Sequence, residues 1–253
     1  MTTRAFSDTA VLTGRSLRHI LRSPDTIVTT AIMPIAMMLL FVFVFGGAID
    51  TGGTAYVDYL LPGILLITVA SGIAYTAYRL FLDMKGGIVD RFRSMPIAAT
   101  SVLWGHVLTS LVANAVSLAL VVGVALLLGF RSGASIADWL GVAGILMLFT
   151  LALTWIAVIA GLAAKTIDGA SAFSYPLILL PFVSSAFVPT GTMPGPVRWF
   201  AENQPVTSIV DTIRALFAQH PVGGQIWIAL AWCIGILAVA ASIAVALFRR
   251  TAR

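Results

Sequence analysis

Charge is the scarcest thing in this chain. Only 10% of its 253 residues are Asp, Glu, Lys or Arg, against roughly 25% in soluble domains, and 59% are hydrophobic. That excludes a water-soluble domain. There are two lysines, and neither makes an ATP-binding loop of the G-x-x-x-x-G-K-[ST] kind: Lys85 is followed by Gly86, and Lys165-Thr166 follows Ala164 where glycine is required. The chain has no motor of its own. A single cysteine, Cys233, lies in an apolar run, which excludes an intrachain disulfide framework and any cysteine-based metal motif. No metal site is expected. The ten acids fall in loops or at the ends of apolar runs, so the midplane carboxylate that proton- or sodium-coupled carriers use is missing. Net charge is +5, but the cations sit beside long apolar runs and not in a basic soluble domain, so they point to membrane topology and not to nucleic acid. The first 25 residues lack a continuous apolar core and a small-residue cleavage site, so the first apolar run is expected to serve as insertion signal and anchor.

What is present is hydrocarbon in span-sized lengths. Six apolar stretches, at about 26–47, 59–82, 100–129, 138–163, 171–188 and 225–248, approach or exceed the roughly 20 residues needed to cross a bilayer at about 1.5 Å per residue. The expected fold is therefore an all-α polytopic membrane protein, a single transmembrane domain over 1–253. The fifth stretch holds Pro176 and Pro181 and should be kinked or partly unwound. Ahead of the first, residues 5–22 form an amphipathic pattern: Phe6, Ala10, Gly14, Leu17, Ile20 and Leu21 on one face, Asp8, Arg15, Arg18 and Arg22 opposite. Val11 and Leu12 break it. Such a helix suits the inner membrane surface.

An even number of spans puts both termini on one side. With the ends inside, twelve of the fifteen cations are cytoplasmic and only Arg131, Arg198 and Arg214 are outside, a positive-inside bias that places the chain in the cell membrane with cytoplasmic termini. The long external segment, 189–224, begins turn-rich and ends in a run opened by Pro205. There Val206, Ile209, Val210, Ile213, Leu216 and Phe217 keep helical spacing, while Thr207, Ser208, Asp211 and Arg214 are expected to face away. This helix is too short to span. It either lies in the outer leaflet, paired with the segment near Val197–Ala201, or packs as a lid over the bundle.

The charged island Asp83–Ile97, DMKGGIVDRFRSMPI, stands out against this background. Breakers at Gly86, Gly87 and Pro96 bracket a brief helix carrying Asp90, Arg91 and Arg93, with Lys85 before it, and Ile88 and Phe92 share one face at i and i+4. Two apolar anchors with a basic rim can receive force from a soluble partner. The alternative is a basic loop that only fixes topology. Inside the spans, His106 and Asn114, eight residues apart, should avoid lipid by hydrogen bonding between helices or by lining a substrate path. Arg79 is expected to reach the inner headgroups. Gly169-Ala170-Ser171-Ala172 resembles the serine motif of rhomboid-type proteases, but His19, His106 and His220 are all badly placed to act as its base.

Four stretches, DYLLPGILL at 58–66, DMKGGIVDRFRSMPI at 83–97, AFVPTGTMP at 186–194 and ENQPVTSIVDTIRALF at 202–217, together resemble the permease subunits of type 2 ABC exporters, most of all the actinobacterial daunorubicin/doxorubicin-resistance group. The resemblance covers nearly the whole chain. It implies a homodimer bound to two separate ATP-binding subunits, with ATP and magnesium held there and no cofactor in this chain, and a coupling helix at about Gly87–Ser94. Many family members carry glutamate where this chain has Lys85. The substrates it implies range from amphiphilic drugs to polysaccharides and complex lipids, and the short external loops and apolar spans suit an amphiphile, drug-like or lipid, drawn from the cytoplasm or inner leaflet more than a polysaccharide. Closure of the motors would push the 83–97 loops together and repack spans one, two and five at the dimer seam, with Pro34, Gly63, Gly72, Pro176 and Pro181 as bending points. A motor-free carrier or channel, and a purely structural subunit, are the competing readings.

Overall fold

The computed structural model describes residues 24–46, 55–86 and 99–251, and these fold as helices joined by short turns, with no strand among the described residues. Helix α1 (Pro24–Leu40) runs directly into a π-helical turn at Phe41–Phe45. Three long helices follow: α2 (Tyr56–Lys85), α3 (Ala99–Leu127) and α4 (Ile136–Ala163). The fifth apolar stretch is divided into α5 (Ile167–Ala172), α6 (Ser174–Leu179) and a 3-10 turn, Leu180–Val183. Then come α7 (Gly195–Asn203), α8 (Pro205–Phe217) and the long α9 (Gln225–Thr251). α2, α3, α4 and α9 are long and apolar enough to cross a bilayer; Thr30–Phe45 and Ile167–Val183 are apolar but shorter. The expected arm 5–22 and the island residues Gly87, Ile88, Asp90, Arg91, Phe92, Arg93 and Pro96 lie outside the described residues.

The broken fifth element has a local cause. A proline at position i removes the hydrogen bond to residue i−4 and its ring presses on that carbonyl. For Pro176 that residue is Ala172, where α5 ends, and Pro181 enters the first turn of the following 3-10 segment. Elsewhere the helix ends are well specified. Gly129 takes φ +98° just past α3, a left-handed conformation that favours glycine. Ser135 caps α4: its hydroxyl accepts from the Asp138 amide at 3.2 Å while the Asp138 carboxylate accepts from the Ser135 amide at 2.9 Å.

α2 is the axis of the bundle. From Leu60 to Ala70 every side chain is buried, because α1, α3, α4, α5, α6 and α8 all pack on this helix. A helix covered by protein around its full circumference has no face left for lipid. Close approach depends on small residues, as between membrane helices generally. A Cβ on Gly63 would come 2.7 Å from Ala186 Cβ, and one on Gly161 of α4 would come 2.9 Å from the Ala77 carbonyl oxygen. α2 is helical through Gly63 and Gly72, with Pro62 inside it, and both glycines sit at close contacts, with Ala186 and Asn114. The buried half of α2 also has no surface to give a second copy of the chain, so α2 cannot form a dimer seam there as expected; exposed apolar side chains lie on α1, α3, α4, α7, α9 and the broken fifth element.

Candidate functional site

The bundle has two ends, each with its own polar chemistry. One is where α2 finishes near Asp83, and the other is where α8 crosses near Arg214.

At the Asp83 end, α2 and α3 are tied together by side chains that a lipid-facing helix would not carry. His106 Nε2 of α3 stands 3.2 Å from Asp83 Oδ2 of α2. One turn deeper, Thr76 donates to Ser110 Oγ at 2.9 Å, and Ser110 Oγ lies 3.2 Å from Thr154 Oγ1 of α4. Thr154 in turn donates to the Thr150 carbonyl of its own helix at 2.7 Å, which removes the cost of burying its hydroxyl. Asn114 Nδ2 donates to the Ser110 carbonyl at 3.0 Å, while the Asn114 amide fills the space over Gly72, where any Cβ would overlap Oδ1. On the other flank of α3, Thr30 of α1 and Ser117 share a hydrogen bond at 3.3 Å. Links of this kind inside membranes average about 0.6 kcal/mol, so the seam sets helix register more than it adds stability. His106 and Asn114 are thus both turned towards α2, and Asn114 is buried.

Between α2 and α3 the seam opens into a small cleft of about 50 Å³, lined by Thr76, Arg79, Asp83, His106, Thr109 and Ser110. Arg79 is part of this cleft. Its Nη1 reaches Tyr75 Oη at 3.4 Å and its guanidinium lies 5.8 Å from the Tyr75 ring centre. Lys85, exposed at the end of α2, rests its ammonium 5.9 Å from the Phe81 ring. The cleft has room for water or a small polar group; drug-sized pockets are about 300–1,000 Å³.

At the other end, α8 is not the one-sided helix its sequence pattern implies. Val206, Ile209, Val210, Ile213 and Leu216 are buried against α2, α4 and α9 as expected. Thr207, Ser208 and Thr212 are buried too, and α8 is a packed cap. The reason is that their hydroxyls bond to nearby carbonyls, Ser208 to Pro205 at 2.9 Å and Thr212 to Ser208 at 2.7 Å, so nothing polar is left to hold them towards water. Pro205 opens the helix at a position where a missing amide costs nothing. Arg214, expected to face away, points inward. Its Nη2 donates to the carbonyls of Ser185 at 2.8 Å and Tyr59 at 3.2 Å, its Nη1 donates to Asp211 Oδ1 at 3.0 Å, and the guanidinium lies 4.0 Å over the Tyr59 ring. Burial pulls the Arg214 pKa below its usual value, while Tyr59 and Asp211 oppose that shift. Asp211 also accepts from Ser185 Oγ at 2.6 Å, and Gln204 Nε2 donates to the carbonyls of Val183 at 2.9 Å and Leu180 at 3.3 Å. The α7–α8 hairpin therefore supplies the hydrogen bonds that the broken fifth element cannot make internally. The aromatic rings of Phe130, Trp139 and Phe217 close the same end, with Phe130 and Phe217 5.2 Å apart.

Sequence reasoning missed the inward role of Arg214, the partnership of Gly72 with Asn114, and the Arg79 cleft. The signal for Arg214 was available: three residues after Asp211 it sits on the same side of one helix, so the two charges could compensate each other without solvent. Pro34 lies inside α1, and Pro176 and Pro181 bound the broken element, but no described cleft joins them to Gly72, His106 or Asn114.

Long apolar helices around a buried central one, side-chain hydrogen bonds between helices and a proline-broken element capped by side chains define an all-α, multi-pass membrane protein. Within that class the chain belongs to the ABC-2 type transporter family, which it matches over residues 7–218. It is 30% identical over 254 residues to the daunorubicin resistance ABC transporter permease protein DrrB1 of Streptomyces coeruleorubidus, an alignment covering 97% of this chain and 88% of the relative. It is 23% identical to the probable doxorubicin resistance ABC transporter permease protein DrrC of Mycobacterium tuberculosis, strains CDC 1551 and H37Rv, over 93% of this chain and 86% of that protein. The chain is accordingly a membrane-spanning permease subunit of an ABC exporter.

Proposed function

We propose that this subunit moves an amphiphilic compound, drug-like or lipid, out of the cytoplasm or inner leaflet, driven by ATP hydrolysis on a separate ATP-binding subunit. The observation that carries the coupling part of this reading is the seam between α2 and α3. These two helices flank the 87–98 stretch, and they are joined to each other by Asp83–His106 and Thr76–Ser110 and to α4 by Thr154. A push on the stretch between them would displace a pinned pair and not two loose ends, and α2 contacts most of the bundle. The motor would dock on Ile88 and Phe92, with Lys85, Asp90, Arg91 and Arg93 around them, and would hold the ATP and magnesium itself. Two copies of this chain would pair and take one motor each, with both termini cytoplasmic.

The amphiphile is supported by the relatives, which are named as drug-resistance permeases, and by the apolar character of the bundle. A seam between two copies would draw on α1 and the broken fifth element, where Phe43 is 73% and Tyr175 65% exposed. Pro176 and Pro181 leave that element held by Gln204 and Arg214 side chains, which can exchange partners, and not by an intact backbone ladder. The test is to replace Ile88 and Phe92 with Asp and measure both co-purification of the ATP-binding subunit and its substrate-stimulated turnover. Loss of both is expected. Survival of both would remove the docking claim, and nucleotide-free uptake by the reconstituted chain alone would favour a motor-free carrier.

A further inference from the structure

The cleft between α2 and α3 contains more than the Asp83–His106 pair needs. Asp83 has His106 at 3.2 Å. Arg79, one turn earlier, has no carboxylate within ion-pair distance among the described residues; its contacts are the hydroxyl and ring of Tyr75. Thr109 lines the same cleft, and its hydroxyl is buried with no hydrogen-bond partner. Thr76 and Ser110 supply two further hydroxyls at the back. A guanidinium with no carboxylate in ion-pair contact among the described residues, since Asp83 of the same cleft faces His106, stands beside an unsatisfied hydroxyl and close to two others and can take an acceptor-rich, negatively charged group.

Depth and surroundings narrow the choice. Arg79 is six residues from the end of α2, about 9 Å along the helix at 1.5 Å per residue, in the last two turns of the span. The helical neighbours of Arg79 at i−4, i−1 and i+3 are Tyr75, Tyr78 and Leu82; the two tyrosine rings stand 6.1 Å apart and Leu82 is 37% exposed. An aromatic and aliphatic wall therefore runs beside a cationic notch. At about 50 Å³ the notch admits a single small polar group of phosphate size but not a ring system.

We propose that this cleft receives the phosphate of an amphiphile, with Arg79 and Thr109 holding the phosphate oxygens and the Tyr75–Tyr78–Leu82 face holding the start of the chain. The proposal rests on the exporter reading for its meaning, since a headgroup held between the helices that flank the 87–98 stretch would be sensed where force enters. The binding itself does not depend on transport. The ligand is either a resident membrane phospholipid or a phosphorylated amphiphile in transit; both present the same phosphate chemistry.

The full-length chain, purified in dodecyl maltoside, is titrated with dodecyl phosphate and followed by native mass spectrometry. Saturable binding is expected. Arg79→Gln should weaken it at least tenfold, Arg79→Lys less, because charge remains without the planar fork, and Thr109→Val severalfold. Arg198→Gln, a cation on the exposed α7, should leave it unchanged. Displacement by phosphatidylglycerol supports the resident lipid, and failure of displacement supports the single-chain amphiphile. Binding that is equal in wild type and both Arg79 variants, or that falls equally in Arg198→Gln, overturns the proposal. ATP-driven export is measured separately on the complex, so failure of the exporter reading would leave these binding results standing and identifiable.

Discussion

Replacing Arg214 with Met is the most direct probe of how the broken fifth element is held. Met keeps much of the aliphatic stem and the contact with Tyr59 but removes every donor. Three bonds are lost: to the Ser185 carbonyl at 2.8 Å, the Tyr59 carbonyl at 3.2 Å and Asp211 at 3.0 Å. Ser185 is buried, so its carbonyl cannot recruit water and keeps only the Tyr59 hydroxyl, at 3.1 Å. With about 1 kcal/mol for each carbonyl and about 1 for the carboxylate, the last discounted because the Asp211 side chain is 34% exposed, the loss is about 3 kcal/mol. That corresponds to about a 150-fold rise in the opening equilibrium of α8 against the Ser184–Phe187 segment, at about 1.4 kcal/mol per factor of ten. Hydrogen exchange of the α8 amides in the purified chain reads this directly, and their protection should fall by about two orders of magnitude. Arg214→Lys should recover part of it. In a double-mutant cycle with Asp211→Asn the two substitutions should be non-additive, since they share an interaction. Exchange in Arg214→Met within threefold of wild type would show that apolar packing alone seats α8, and the reasoning from carbonyl satisfaction would be wrong.

Two further outcomes follow from the same geometry. Gly72→Leu should force α2 from Asn114, since even a Cβ overlaps that amide; a loss of about 1–3 kcal/mol in resistance to unfolding is expected, measurable as a lowered midpoint in detergent, whereas Gly144→Leu, where a Cβ meets nothing within 4 Å, should cost far less. On α7, the hydrogen bond from Arg198 Nε to Glu202 at 2.7 Å, aided by Thr190, holds the Glu202 carboxyl below its usual pKa. The folded value is the depressed one, so this link is fully present above the ordinary carboxylate range and is lost as pH falls through the folded pKa. The Glu202 carboxyl midpoint, read by carbon NMR, should rise in Arg198→Ala.

Much of the fold is legible in the residues. The apolar runs and the helices agree to within a few residues for α2, α3, α4 and α9, and the two prolines of the fifth stretch foretell its breakage. The reason is that lipid is a stricter solvent than water: it demands continuous apolar length and complete backbone pairing, and both demands are local properties of a chain. His106 and Asn114 could likewise be recognised as groups that avoid lipid. Their partners could not, because Asp83 and Gly72 lie 23 and 42 positions earlier and are brought near only by the antiparallel packing of α2 on α3.

The sequence by itself determined the class of the molecule and the approximate limits of its four long helices, while two of the six expected spans, the first and the fifth, are shorter apolar helices. Only the tertiary structure decided which helix is central, which glycines are contacts, and which way Arg214 points. Periodicity records how a helix divides apolar from polar residues, and it assumes that polar means outward. In α8 that assumption fails. Hydroxyls that bond to nearby carbonyls, and a guanidinium that finds three acceptors inside the bundle, can be buried at little cost, so the direction of a polar face is set by the acceptors that other helices bring to it.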